Sequence, residues 1–87
     1  MEVIFKYKLQ TTDEQEIEMP LGADVLTVQV LNDEPYVYAK VNTNYTSIKY
    51  RFRIFGTGHQ IEDEFSGKYI GTYQIFNGSG VFHLFLI

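Results

Sequence analysis

The sequence of 87 residues contains no cysteine and no tryptophan, and only two prolines. Without cysteine it has neither a disulfide framework nor a thiolate-ligated metal site, and a reducing compartment suits it. Alanine and leucine together supply only 8 residues, so the strong helix formers are scarce. No apolar run approaches the roughly 18 residues of a membrane-spanning helix. Basic side chains are also in deficit, 7 against 11 acidic ones, for a net charge of −4. That balance argues against long nucleic acids and anionic membranes as partners. The opening residues Met1-Glu2-Val3-Ile4-Phe5-Lys6 lack a basic n-region, so no signal peptide is expected. The length allows one domain, residues 1–87, and no separate catalytic module.

What is abundant is β-forming. Val, Ile, Thr, Phe and Tyr make up 36 of the 87 residues. These side chains lose rotamer freedom in helices and suit a pleated, half-buried surface. Period-two alternation predicts strands over residues 2–9, 15–19, 26–30, 36–41 and 48–54. Two further strands, 69–76 and 81–87, flank Asn77-Gly78-Ser79-Gly80, a hairpin signal. Pro20 to Asp24 and Asn32 to Pro35 are turns, and residues 60–68 read as a loop with room for one helical turn. The expected fold is an all-β, single-domain antiparallel sandwich or barrel of about seven short strands. Residues 81–87 are apolar on both faces around His83, as suits a central strand or one that ends against a partner subunit.

Charge is unevenly placed. Residues 1–34 carry −6, residues 35–55 carry +4 from Lys40, Lys49, Arg51 and Arg53, and residues 56–87 carry −2. If 36–41 paired antiparallel with 48–53, matching the alternations would set Tyr38 opposite Arg51 and Tyr36 opposite Arg53. Val37 and Ala39 would then share the apolar face with Phe52 and Tyr50. Such a tyrosine–arginine face could stack a base and clamp a phosphate. The plainer reading is a cation–π ladder on an ordinary sheet surface, and a protein contact is a further one.

The adjoining Gly56-Thr57-Gly58-His59 offers backbone N–H groups for an anion, or simply a turn that needs positive φ. It is not a phosphate-binding P-loop, because no Lys-Ser/Thr follows. His59, beside the glycines, is the better candidate for ligand contact. His83, inside an apolar strand, reads as a hydrogen-bonded structural residue. Neither has metal-ligand spacing. Glu62-Asp63-Glu64 reads as a solvated loop. Ser47, Ser66 and Ser79 lie in polar turns and no nucleophile elbow is present, so neither an enzyme nor a cofactor is expected.

Seven stretches run nearly end to end: Ile4 to Tyr7, Met19-Pro20-Leu21-Gly22-Ala23, Val25 to Val30, Pro35 to Ala39, Phe52-Arg53-Ile54-Phe55-Gly56-Thr57-Gly58-His59, Tyr69 to Gln74 and Val81 to Phe85. Together they resemble a family of small proteins encoded by phages and prophages. That family is similar to phage anti-CBASS sponge proteins, which bind cyclic nucleotide messengers of bacterial defence without cleaving them. The resemblance implies immune evasion in the cytoplasm of an infected bacterial host. It also implies a cyclic dinucleotide ligand such as 3′,3′-cGAMP, and a homo-oligomer, dimer or tetramer. It places Arg53, Thr57, Gly58 and His59 near the ligand, and Tyr38 where related chains carry a tryptophan. The alternating strand faces add Tyr36, Arg51 and Tyr73. The alternative expectation is an interaction module that binds and inhibits a host protein.

Overall fold

The computed structural model describes residues 1–87 and contains seven strands and no helix. They are β1 (Glu2–Lys8), β2 (Glu14–Pro20), β3 (Asp24–Leu31), β4 (Glu34–Asn42), β5 (Ser47–Gly56), β6 (Lys68–Ile75) and β7 (Gly80–Leu86). All pairings are antiparallel, in a three-stranded sheet ordered β1-β4-β3 and a four-stranded sheet ordered β2-β5-β7-β6. The expected all-β sandwich is thus the observed fold. No helix is long and apolar enough to cross a membrane.

Alternation decides which side chains go inside. Val37, Ala39 and Val41 of β4 face Phe52 and Ile54 of β5, Leu84 of β7, and Tyr73 and Ile75 of β6 across one core. Phe52, Met19, Leu84 and Val37 are fully buried. Burying a side chain of this size stabilises by roughly 1.5–3 kcal/mol. Strand β7 is central, between β5 and β6, and Phe65 of the segment after β5 packs on Phe85 of its outer face.

Two hairpins are local. Between β3 and β4, Asn32 and Asp33 take φ of 52° and 61°, the left-handed pair that a two-residue I′ turn requires. Between β6 and β7 the loop runs Phe76 to Ser79, with Phe76, Asn77 and Gly78 all at positive φ. The Asn-Gly signal therefore marks a real hairpin, with a longer loop than a two-residue turn. The segment over 57–67 forms turns and no helical turn.

Strands β3 and β6, one edge from each sheet, come together. Each carries a bulge, at Leu26 and at Ile70, as edges that must bend often do. A Cβ on Gly71 would stand 2.9 Å from Val28 Cγ1, so glycine is what lets β6 approach β3 this closely.

The expected pairing of 36–41 with 48–53 does not form. Strand β4 lies between β1 and β3, so Tyr36 faces Lys8 and Gln29, and Tyr38 faces Lys6 and Thr27. Strand β5 lies in the other sheet, with Glu14, Glu16 and Glu18 of β2 opposite Arg53, Arg51 and Lys49. The physical reason is charge. An acidic strand and a basic strand of equal period make a ladder of opposite signs, whereas the expected tyrosine–arginine pairing would have set Lys40 against Lys49. Arg51 reaches Glu14 at 3.0 Å and Lys49 reaches Glu16 at 3.9 Å. The +4 of residues 35–55 is thus divided between two sheets and largely neutralised.

Candidate functional site

The outer face of the four-stranded sheet carries a cavity of about 260 Å³. Its floor is sheet. Phe55 continues the outward series Lys49, Arg51, Arg53 on β5, and pairs across to His83 on β7. Phe85 and Tyr69 lie beside them, opposite each other on β7 and β6. Its wall is the segment after β5, which contributes Thr57, Gly58, His59 and Ile61.

That segment begins as a tight turn. The His59 N–H donates to the Gly56 carbonyl (3.0 Å), and Gly58, in the third position, has φ of 86°. This is the position where a type II turn requires glycine. The His59 ring closes over Gly56, where a Cβ would stand 2.9 Å from its Cε1. The Thr57 N–H donates to the Val81 carbonyl (3.1 Å). Of the three amides that follow Gly56, those of Thr57 and His59 are bonded and that of Gly58 makes no hydrogen bond within the chain. The turn reading of Gly56 to His59 therefore holds, with one amide left over rather than a nest of them.

Further along, Phe65 packs edge-on against Phe55 and Phe85, with ring centroids 5.1 and 5.4 Å apart. Arg53 stacks on Phe55 at 4.4 Å and approaches Phe65 at 5.7 Å. Its guanidinium donates to both oxygens of Glu62 (2.6 and 3.3 Å). This forked bond holds the Glu62 carboxyl below its usual range and the Arg53 guanidinium above its own. The Arg53 Nε is buried with no partner, so the arginine is fixed by ring faces as much as by charge. Glu62 is thus an anchor of the loop and not merely solvated, as the sequence had suggested.

A chain of hydrogen bonds runs through the cavity floor. His83 Nε2 lies 2.7 Å from Thr57 Oγ1, and His83 Nδ1 lies 2.8 Å from Thr72 Oγ1. Thr72 in turn hydrogen-bonds the Tyr69 hydroxyl, and Thr57 reaches the Val81 carbonyl at 3.4 Å. A neutral imidazole has one N–H and one bare nitrogen, so the chain has two consistent directions. When Thr57 donates to Val81, His83 donates through Nε2 and accepts at Nδ1 from Thr72, which accepts from Tyr69. The Tyr69 oxygen then presents an acceptor. When Thr57 donates to Nε2 instead, its bond to the Val81 carbonyl is given up, the bonds from Thr57 through His83 and Thr72 to Tyr69 reverse, and the Tyr69 O–H is free to donate. One phenol can therefore meet either a donor or an acceptor.

The residues singled out from sequence are dispersed. Thr57, Gly58 and His59 line the cavity, and Arg53 adjoins it through Phe55. Arg51 lies toward β2, bound to Glu14. Tyr36 and Tyr38 lie on the outer face of the other sheet, where Lys6 Nζ sits 4.8 Å over the Tyr36 ring. Tyr73 is a correction of orientation: it faces the core at 3% exposure, with its hydroxyl 2.8 Å from Thr11 Oγ1. Burial pushes the Tyr73 phenol up from its ordinary value. The reading missed Phe55, Tyr69, Thr72 and Phe85. Phe55 was visible as the aromatic that continues a solvent-facing cationic series. His83 is the hydrogen-bonded residue expected, and also part of the site.

No lysine, arginine or carboxylate lines the cavity. No group of three His, Cys, Asp or Glu side chains gathers anywhere in the chain, so the two imidazoles do not form a metal centre. What the arrangement offers is a small aromatic slot with one adaptable polar edge.

An all-β sandwich with an uncharged aromatic cavity on one outer face is the class that fold and site define. The whole chain, residues 1–87, matches the family described as Domain of unknown function (DUF7352), and it belongs to that family. No curated protein and no solved structure matches it.

Proposed function

We propose that the protein is a non-enzymatic binder of cyclic nucleotides, encoded by a phage, that sequesters a messenger of bacterial anti-phage defence in the host cytoplasm. The ligand in this reading is a cyclic dinucleotide such as 3′,3′-cGAMP, with one base in the cavity beside Phe55, Phe85 and His83. The observation that carries the reading is the hydrogen-bond chain Tyr69–Thr72–His83–Thr57 set into an aromatic cavity of about 260 Å³. Base edges present donors and acceptors side by side, and a reversible chain matches either. Aromatic stacking on a base contributes roughly 1–3 kcal/mol. The cavity lies below the roughly 300–1,000 Å³ of whole-ligand sites, so it takes one base and leaves the phosphates at the rim. There the unbonded Gly58 N–H is a donor. Two bases then call for two copies of the chain, and a stoichiometry of one ligand per two chains is expected.

Incubation with 3′,3′-cGAMP and related cyclic nucleotides, followed by measurement of free ligand before and after heat denaturation, tests this. Depletion with intact release is the expected result, and Arg53→Ala should weaken it more than Lys68→Ala. Failure to deplete any of them would sink the reading, and depletion without release would mean cleavage.

One observation favours a second reading, a module that binds a host protein. Phe76 is 61% exposed at a hairpin tip and holds φ of 56°, a strained placement for an aromatic side chain. A host protein captured in stoichiometric amount and lost on Phe76→Gly would support it.

A further inference from the structure

The sandwich has three kinds of sheet edge. Strands β3 and β6 cover each other. Strand β2 is open but carries Glu14, Glu16 and Glu18, and pairing two copies about Ile17 would set Glu16 against Glu18. Such like-charge pairs protect an edge from association. Strand β1 is open and unprotected at its centre, where Ile4 is 60% and Phe5 46% exposed on opposite faces. Phe5 is on the inward face, opposite Ala39, yet the second sheet does not cover it.

We propose that β1 is the contact between two copies of this chain, paired antiparallel about Phe5. The sequence Glu2-Val3-Ile4-Phe5-Lys6-Tyr7-Lys8 is self-complementary in that register. Glu2 of one copy meets Lys8 of the other, Ile4 meets Lys6, Val3 meets Tyr7, and Phe5 meets Phe5. No like charges oppose. Centring on Lys6 would set Lys6 against Lys6, and centring on Ile4 would oppose Tyr7 to Met1, outside the strand, and leave Lys8 without a partner.

The backbone agrees with this register. The bonds from Leu9 N–H to the Pro35 carbonyl and from Thr43 N–H to the Met1 carbonyl commit the odd-numbered residues to β4. Glu2, Ile4, Lys6 and Lys8 therefore present their N–H and C=O groups at the open edge. In the Phe5-centred pairing these four are the hydrogen-bonded pairs, and Phe5 falls at a non-hydrogen-bonded pair, where side chains approach most closely. The product is one continuous sheet, β3-β4-β1-β1-β4-β3. The cavity lies on the other sheet and stays open, so the pairing is independent of the ligand reading.

Sedimentation of the ligand-free full chain at concentrations up to about 1 mM, the weak end of specific association, tests the proposal. A particle of twice the 10.1 kDa chain mass is expected. Lys8→Glu should shift it to monomer with a cooperative thermal transition, lowered because the Lys8–Glu34 bond (3.1 Å) is lost, and the double variant Glu2→Lys with Lys8→Glu should restore the dimer. Phe5→Glu should abolish it. A monomeric wild type, a dimer indifferent to Lys8→Glu, or no rescue by the charge swap would each overturn the proposal. The charge-swap series decides even if Phe5→Glu fails to fold.

Discussion

At the scale of single residues, the site depends on where one hydroxyl sends its proton. Thr72 connects Tyr69 to His83, and removing its oxygen breaks the chain in the middle. Thr72→Val keeps the β-branched shape of an exposed position, so folding should be unchanged. Affinity for the cyclic nucleotide should fall about tenfold, the equivalent of one hydrogen bond of roughly 1.4 kcal/mol, as isothermal titration would measure. Tyr36→Ala and Tyr38→Ala lie on the other sheet and should change affinity less than twofold if the ligand sits in the cavity. Gly58 tests the turn itself. At φ of 86° a side chain is strained, and Gly58→Ala should cost about 1–2 kcal/mol of stability by chemical denaturation.

At the scale of strands, charge explains both what could be read and what could not. All seven strands were legible, because each alternates clearly or is bounded by turn residues. The turn at Asn32-Asp33 and the hairpin at Asn77-Gly78 were legible for the same reason, since their turn chemistry is local, although the turn was not read as joining β3 to β4. The partner of β5 was not. Strands β4 and β5 are neighbours in sequence with matched alternation, and neighbours in sequence pair about two-thirds of the time. Periodicity cannot express that the chain over Thr43–Thr46 crosses to the other sheet. The clue was present in the three glutamates of β2 at period two, which mirror Lys49, Arg51 and Arg53. Tyr73 was misplaced for a related reason: an amphipathic ring can end in the core when Thr11 satisfies its hydroxyl. The ladder makes a prediction of its own. Arg51→Glu should cost about 0.5–1 kcal/mol, in the range of exposed cross-strand pairs. Adding Glu16→Arg, which restores opposite signs at the directly opposed positions, should recover part of it in thermal melts.

At the scale of the whole molecule, stability should be bounded by pH on both sides. The Glu62 and Glu34 carboxyls are lowered by hydrogen bonds from Arg53 and from Lys8. Lowered acids stabilise above their unfolded value of about 4.3, and that contribution disappears as pH falls through the folded value. The Tyr73 and Tyr7 phenols are raised, chiefly by burial. A raised acid stabilises fully below its unfolded value of about 10 and loses that contribution as pH climbs through the folded one. Melting temperature should therefore fall at both ends, and Tyr73→Phe should blunt the alkaline fall while costing about 1 kcal/mol at neutral pH for the lost Thr11 bond. The core sets the overall scale: Phe52→Ala should cost about 3–5 kcal/mol, which for a domain of this size threatens folding altogether.

The cavity is the proposed place where a base binds. Titrating the isotopically labelled chain with 3′,3′-cGAMP and following its amide resonances by NMR tests that directly. The expected shifts centre on Thr57, Gly58, His59, Tyr69 and His83, with Tyr36 and Tyr38 unmoved. Shifts centred on Tyr36 and Tyr38, or none at saturating ligand, would contradict it.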